Sequence, residues 1–395
     1  KKETRVGAQM KRPNVLFLTV DQLRTDALGC YGGTWSKTPN IDALAAQGVR
    51  FEQAYAAAPE CVPSRTTWLT GRYPLQHGSY NNHYLRFPDT RPLLYRAASD
   101  AGYTVAMLGK THYRPELTES DRINVFWPYW NTNVTKGADV WRAPSRMANE
   151  TLEALLVRAF DATVAFSARA YGPDKPWFVH LSFVNPHPPN LCEHLPIGWQ
   201  PLPEQRCPAL RLTPAEWNEQ TDNFAPFHMY ERTCYGATVE YVDAMVGEAL
   251  KIVNLETTFL LFTSDHGDML GDHGVKQKSV FFDAAWRVPL VLAGAGVELR
   301  SGASETHFAC GADVPMTLRR VMIAPLSPGH RGVDLRKKTD VARNKECRGF
   351  LMTFKGEMLM GLVNATHKIV INRSTVINVF NRTPGVDPYE MNSLV

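Results

Sequence analysis

Long apolar runs are missing from this sequence. No stretch of its 395 residues approaches the roughly 20 apolar positions needed to cross a bilayer, so no membrane partner is expected. There is no internal repeat and no low-complexity tract, so neither a stacked-repeat architecture nor a long disordered linker fits. A strong charge of one sign is also lacking. With 43 Lys and Arg against 39 Asp and Glu, the net charge of +4 suits an anionic substrate but is too mild to argue for nucleic acid. No signal peptide is legible in a chain that starts at Lys1.

Cysteine is scarce. The seven are Cys30, Cys61, Cys192, Cys207, Cys234, Cys310 and Cys347. Setting Cys61 aside leaves an even number, which permits disulfides without requiring them. Cys192 and Cys207 bracket a Pro-rich loop and are the pair expected first. Sequons at Asn133, Asn149, Asn364, Asn372 and Asn381 lean toward an exported protein, periplasmic, secreted or lysosomal; chance sequons in a cytoplasmic enzyme are the alternative.

What is present is the composition of a globular enzyme, 44% hydrophobic and 21% charged, in a chain long enough for one large domain and a smaller one. Short apolar runs at 15–20, 104–108, 177–183, 258–263 and 288–292 read as buried strands. Helix-like stretches at 40–47, 93–101, 150–170 and about 235–253 lie between them, which predicts a mostly parallel sheet covered on both faces. After about residue 335 four short strands, 348–354, 357–363, 367–372 and 376–380, follow in tight succession and predict a small antiparallel sheet. A boundary near Gly332 then divides a catalytic domain, 1–332, from a C-terminal subdomain, 333–395. The Trp-, Pro- and Asn-rich segment 113–146 reads as irregular loop. Its Trp127, Tyr129, Trp130 and Trp141 either line a substrate mouth or pack on the body.

Polar clusters follow four of the strands: Asp21-Gln22, Gly109-Lys110-Thr111-His112, Asn185-Pro186-His187 and Ser264-Asp265-His266-Gly267. One Asp after a strand is usually a cap or turn residue. Four such clusters at the carboxyl ends of strands in an open α/β sheet point to one shared site. Cys61 precedes Pro63, a residue suited to a first helical turn, so the thiol is expected just before a helix N-terminus, where anionic character is favoured. It reads as a low-pKa thiolate or as a buried, inert cysteine.

Cys61-Val62-Pro63-Ser64-Arg65 with Leu69-Thr70-Gly71-Arg72 resembles the signature of the formylglycine-dependent sulfatases of the alkaline phosphatase superfamily. Further matches stand in family order: Pro13-Asn14, Asp21, Thr38 to Asp42, Gly109-Lys110-x-His112, Pro186-His187, Asp265-His266-Gly267 through Gly271-Asp272-His273-Gly274 to Lys278, and Asp387 to Asn392. The resemblance implies an alkaline-phosphatase-like α/β fold, a mostly parallel central sheet flanked by helices with a small C-terminal antiparallel sheet. It also implies that a formylglycine-generating enzyme oxidises Cys61. The hydrated aldehyde then attacks sulfur with one hydroxyl, and loss of a proton from the other releases sulfate. The metal ligands implied are Asp21, Gln22, residue 61, Asp265 and His266, an oxygen-rich set that suits Ca²⁺ or Mg²⁺. Gln22 and His266 depart from the commoner Asp and Asn, as in phosphonate monoester hydrolases, and bring Mn²⁺ into range. Arg65 would steady residue 61. Lys110 and Lys278 would bind sulfate oxygens. His112 would accept the diol proton, and His187 would act as general acid, shared with Lys278. The substrate is expected to be an anionic small molecule or a sulfated sugar.

Three rivals remain. A phosphonate monoester or phosphodiester hydrolase could use the same formylglycine. The chain could be an inactive binder of sulfated glycans. A metal phosphatase would want Ser or Thr where Cys61 stands. His273 is left near the site without a firm role, His77 and His83 read as solvated loop, and Asn81 and Asn82 are candidates to touch substrate.

Overall fold

The computed structural model describes residues 12–83, 93–112, 125–129 (as backbone only), 151–196, 198–218, 224–326, 328–353, 355–373, 375–383, 386–387 and 389–394. Eight strands form the large sheet: β1 (Asn14–Val20), β2 (Val49–Tyr55), β3 (Thr104–Lys110), β4 (Val125–Tyr129), β5 (Trp177–Phe183), β6 (Thr258–Ser264), β7 (Leu290–Gly294) and β8 (Ala303–Cys310). Their order is β4-β3-β5-β1-β6-β7-β2-β8. β7 pairs antiparallel with both β6 and β2, and every other described pairing is parallel, so β7 alone runs against the rest. A mostly parallel sheet is what the strand–helix alternation predicts.

Two apolar layers cover the sheet, and β1 shows why. Val15 and Phe17 point into one layer, with the helices Cys61–Thr70, Leu94–Asp100 and Asp313–Met322. Leu16, Leu18 and Val20 point into the other, with Pro39–Gln47, Leu152–Tyr171 and Phe224–Lys251. The period of two along a strand buried on both faces produces this division.

The second sheet is β9 (Glu346–Met352), β10 (Met358–Asn364), β11 (His367–Asn372) and β12 (Thr375–Asn381), antiparallel in the order β12-β11-β10-β9. It docks through the amide of Phe350, which donates to the Ala57 carbonyl at 3.0 Å, and through the disulfide Cys310–Cys347 between β8 and β9. The buried Lys368 adds ion pairs to Asp283 and Glu390, which tie the C-terminal Asp387–Asn392 segment to the main body.

Several expectations are corrected. The segment 113–146 contains strand β4, while its candidate mouth side chains, Trp127, Tyr129, Trp130 and Trp141, lie outside the described residues, as do Asn133 and Asn149. β2 and β8 were not expected. The last long helix begins at Phe224, well before Tyr235, with Pro226 in its first turn, where a missing N–H costs nothing. This extension carries Cys234 to Cys192, which bond to each other, so the expected Cys192–Cys207 pair does not form and Cys207 is a free, buried thiol.

Candidate active site

In-register pairing brings the strand ends together. Val20 stands opposite Phe183 on one side and Ser264 on the other, and Gly109 opposite Ser182. Asp21-Gln22, Lys110, His187 and Asp265-His266 therefore leave the sheet at one edge. Cys61 arrives from a separate helix, Cys61–Thr70. It is that helix's first residue, with Glu60 as the N-cap, rather than the residue just before it, and Pro63 falls in the first turn. The amide of Val62 is capped by Asn82 Oδ1 at 2.9 Å, and the amide of Asn82 donates to Glu60 Oε1 at 3.0 Å.

The ligating atoms of Asp21, Cys61, Asp265 and His266 all lie within 4.8 Å of one another, and all four residues are buried. His266 donates its Nδ1 proton to the Gly267 carbonyl at 2.8 Å, which leaves Nε2 facing Cys61 Sγ at 3.0 Å. Asp21 Oδ1 is buried and has no hydrogen-bond partner among the described residues. A buried carboxylate oxygen with nothing to accept is costly. A preset imidazole lone pair is the usual state of a metal-binding His. The donor set thus fits a divalent cation, and the other expected ligand, Gln22, stands next to Asp21 in sequence with its Oε1 accepting from Lys278 Nζ at 2.9 Å.

Arg65 bridges the two carboxylates. Its Nε donates to Asp265 Oδ2 at 2.6 Å and an Nη to Asp21 Oδ2 at 2.9 Å. The other Nη donates to the Lys110 carbonyl at 2.8 Å and to Ser182 Oγ at 3.0 Å. Lys110, 1% exposed, pairs with Asp21 and reaches Cys61 Sγ at 3.8 Å. Lys278, half-buried, donates to Cys61 Sγ at 3.0 Å, to Gln22 Oε1 at 2.9 Å and to His187 Nε2 at 3.3 Å. His112 and His187 also lie within hydrogen-bond reach of the sulfur.

Charge follows from this packing. Burial opposes ionisation of Cys61, but Lys110 and Lys278, the largest opposing causes, hold the thiol well below its ordinary value. Burial would raise Asp21 too, and with Cys61 it is overcome by Lys110, His187 and Arg65, so this carboxyl stays below the usual range. His187 is pushed down to about 4 by burial and by both lysines. Its Nδ1 donates to the Pro188 carbonyl at 2.8 Å, so at neutral pH the inward nitrogen carries no proton. Burial and the charge of Cys61 lift Glu60 to about 7.

The Sulfatase family model matches residues 13–313. This chain belongs to the sulfatase family. It is similar to the choline-sulfatase of Rhizobium meliloti (strain 1021), 28% identical over 329 residues, covering 72% of this chain and 63% of that protein. It is also similar to an N-acetylglucosamine-6-O-sulfatase of Bacteroides thetaiotaomicron, 26% identical over 416 residues, covering 83% and 74%. Among solved structures, a phosphonate monoester hydrolase of Agrobacterium radiobacter shares the fold with a TM-score of 0.77 at 24% identity, covering 97% of this chain and 91% of that one. The chain thus spans less than two thirds of the choline-sulfatase's length.

All ten of the expected site positions in this sulfatase-family chain, counting residue 61 once, gather around one site. The lesser candidates do not. His273 stacks on Phe282 with centroids 3.9 Å apart and hydrogen-bonds the Tyr389 carbonyl at 3.0 Å, a brace for the C-terminal segment. His77 is fully buried rather than solvated, between Thr67 Oγ1 and the Ser79 amide, whereas His83 is exposed. Asn81 holds the Met352 carbonyl at 3.1 Å. Three supports carry no motif that would mark them: Ser182 under Arg65, Asp268 against Gln22, and Arg24, which joins Asp26, Asp272 and the Asp268 carbonyl across the floor.

Proposed function

We propose that this chain hydrolyses a sulfate ester to an alcohol and inorganic sulfate, using formylglycine made from Cys61 and a divalent cation held by Asp21, Gln22, residue 61, Asp265 and His266. One observation carries the reading. In a sulfatase-family chain, the side chain of residue 61 lies within reach of two lysines and of a cation-fitting Asp, Asp, His cluster. The cation, Ca²⁺ with Mg²⁺ or Mn²⁺ as alternatives, would neutralise charge on the ester and favour an ionised attacking oxygen.

The protein's own groups divide the remaining work. Arg65, Lys110 and Lys278 bring three positive charges against two on Asp21 and Asp265, so the pocket favours an anion even before a cation adds to it. Lys110 and Lys278 grip the ester oxygens as point charges. Arg65 keeps both carboxylates aimed at the cation. His112, hydrogen-bonded to residue 61, accepts the proton of the second hydroxyl. Lys278, whose Nζ lies 3.3 Å from His187 Nε2, carries the proton for the leaving oxygen. His187, neutral and anchored on Pro188, orients it.

The substrate classes this reading admits are a sulfated sugar, an aryl sulfate and a small alkyl sulfate. The N-acetylglucosamine-6-O-sulfatase relative supports the first. Two disulfides support an oxidising compartment and hence an exported protein; among the described residues no helix is long and apolar enough to cross a membrane. A second reading, hydrolysis of a phosphonate monoester or phosphodiester, is favoured by Gln22 and His266 and by the fold shared with the phosphonate monoester hydrolase. Protein produced alongside a formylglycine-generating enzyme separates them when offered an aryl sulfate and an aryl phosphonate monoester. Faster turnover of the sulfate supports the first reading, and turnover of the phosphorus ester alone replaces it with the second. Binding of a sulfated glycan with neither turned over would mark an inactive binder.

A further inference from the structure

Gln22 differs from the other expected cation ligands in having two unlike ends to its side chain. Its Nε2 donates to Asp268 Oδ2 at 2.6 Å, and its Oε1 accepts from Lys278 Nζ at 2.9 Å. A carboxylate only accepts and an ammonium only donates. The reversed amide would set oxygen against oxygen at Asp268 and NH₂ against NH₃⁺ at Lys278, two unmatched contacts in a buried site. The chemistry of the neighbours therefore fixes the amide, and Asp268 is the neighbour with no other task at the sulfur. It is 1% exposed, and its second oxygen accepts the Leu270 amide at 3.0 Å. The backbone of Gln22 completes the hold. It sits at φ 61, its N–H donates to Asp265 Oδ1 at 3.1 Å, and its carbonyl accepts from the Tyr235 hydroxyl at 2.9 Å.

We propose that Asp268 is a positioning residue that keeps the oxygen of Gln22, and not its nitrogen, turned to the cation pocket. An amide NH₂ has only donors to offer a cation, so the pocket with Gln22 reversed loses one ligand. In effect the charge of a second adjacent carboxylate is moved behind a neutral amide: Asp268 supplies it without touching the ion. The inference rests on the cation-dependent reading given above.

The test is Mn²⁺ binding by isothermal titration calorimetry to the full chain, stripped of metal with chelator, with Tm in chelator recorded alongside. Asp268→Asn keeps an oxygen for the Leu270 amide but turns an NH₂ toward Gln22, so the amide reverses. The expected result is a Kd weaker by about 10- to 100-fold, the usual effect of losing a group that orients a ligand. Adding Gln22→Glu to Asp268→Asn restores a donor facing an acceptor and offers the cation an oxygen. This double variant is expected to recover most of the lost affinity. A structural role through Leu270 alone would move Tm and leave Kd untouched. A wild-type Kd in Asp268→Asn overturns the proposal, as does a double variant that binds no better than the single one. Should Asp268→Asn not fold, the double variant is read by itself, and its failure to bind Mn²⁺ is the overturning result. If the wild-type chain binds no divalent cation, the cation-dependent reading fails and this inference falls with it, an outcome distinct from wild type and Asp268→Asn binding equally well.

Discussion

Replacing Arg65 with Ala removes the guanidinium that two buried carboxylates share. Asp21 keeps Lys110, but among the described residues Asp265 is left with only His266 as an ion-pair partner, 3.7 Å away. Breaking a buried pair in this way costs about 3–5 kcal/mol, because the surviving charge is desolvated and uncompensated. At about 2.1 cal/mol/K per residue, the unfolding entropy of 395 residues is near 0.8 kcal/mol/K, so Tm should drop by about 4–6 °C. The deficit should also depend on pH. Burial already raises the Asp265 carboxyl, and removing Arg65 removes the main opposing cause. In the variant the folded Asp265 carboxyl is therefore expected to lie further above its unfolded value. A folded pKa above the unfolded value gives stability that is present at low pH and lost as pH rises, here by up to about 1.4 kcal/mol per pH unit for one proton. Calorimetric Tm of both proteins from pH 5 to 8, with chelator present, measures the gap and its slope. Because Arg65 lies in the proposed maturation signature, stability rather than activity is the clean readout. A variant within about 1 kcal/mol of wild type at pH 8 would refute the claim that Arg65 neutralises these carboxylates.

Other outcomes follow from single contacts. Asn82→Ala removes the cap on the Val62 amide and should cost about 1 kcal/mol in a denaturant titration, with turnover falling as the helix that carries residue 61 frays. His77 is pushed down to about 3 by burial, so the native state binds it neutral; its contribution is present above the ordinary value of 6.5 and lost as pH falls, by about 2 kcal/mol at pH 5, and His77→Gln should flatten that part of the pH–stability curve. Non-reducing peptide mapping should return Cys192 with Cys234 and Cys310 with Cys347, and Cys207 should react with an alkylating reagent only after unfolding.

The legible part of the molecule is the part where local pattern and position agree. β1, β3, β5 and β6 are continuous apolar runs buried on both faces, and each ends in a polar cluster, so reading the runs also located the site. The four C-terminal strands were placed within two residues because turn residues separate them. β8, with Ser, Glu, Thr and His along its partly exposed half, and β2, with Arg, Glu and Gln, lack the apolar density that marks a buried strand. The start of the Phe224–Lys251 helix was hidden by Pro226, and with it the partner of Cys192. Residues that act through others left no trace at all. Asp268 lies 246 positions from Gln22, and Ser182 lies 117 from Arg65; only the folded chain makes either pair adjacent.

The account stands on the conversion of residue 61, and the direct measurement is sulfate release set against the converted fraction. Batches made with graded amounts of a formylglycine-generating enzyme would be assayed for free sulfate from an aryl sulfate and, by peptide mass, for aldehyde at position 61. Activity proportional to the aldehyde fraction, and zero when the residue is wholly Cys, is the predicted result. Equal activity in unconverted protein, or none in fully converted protein supplied with divalent cation, would contradict it.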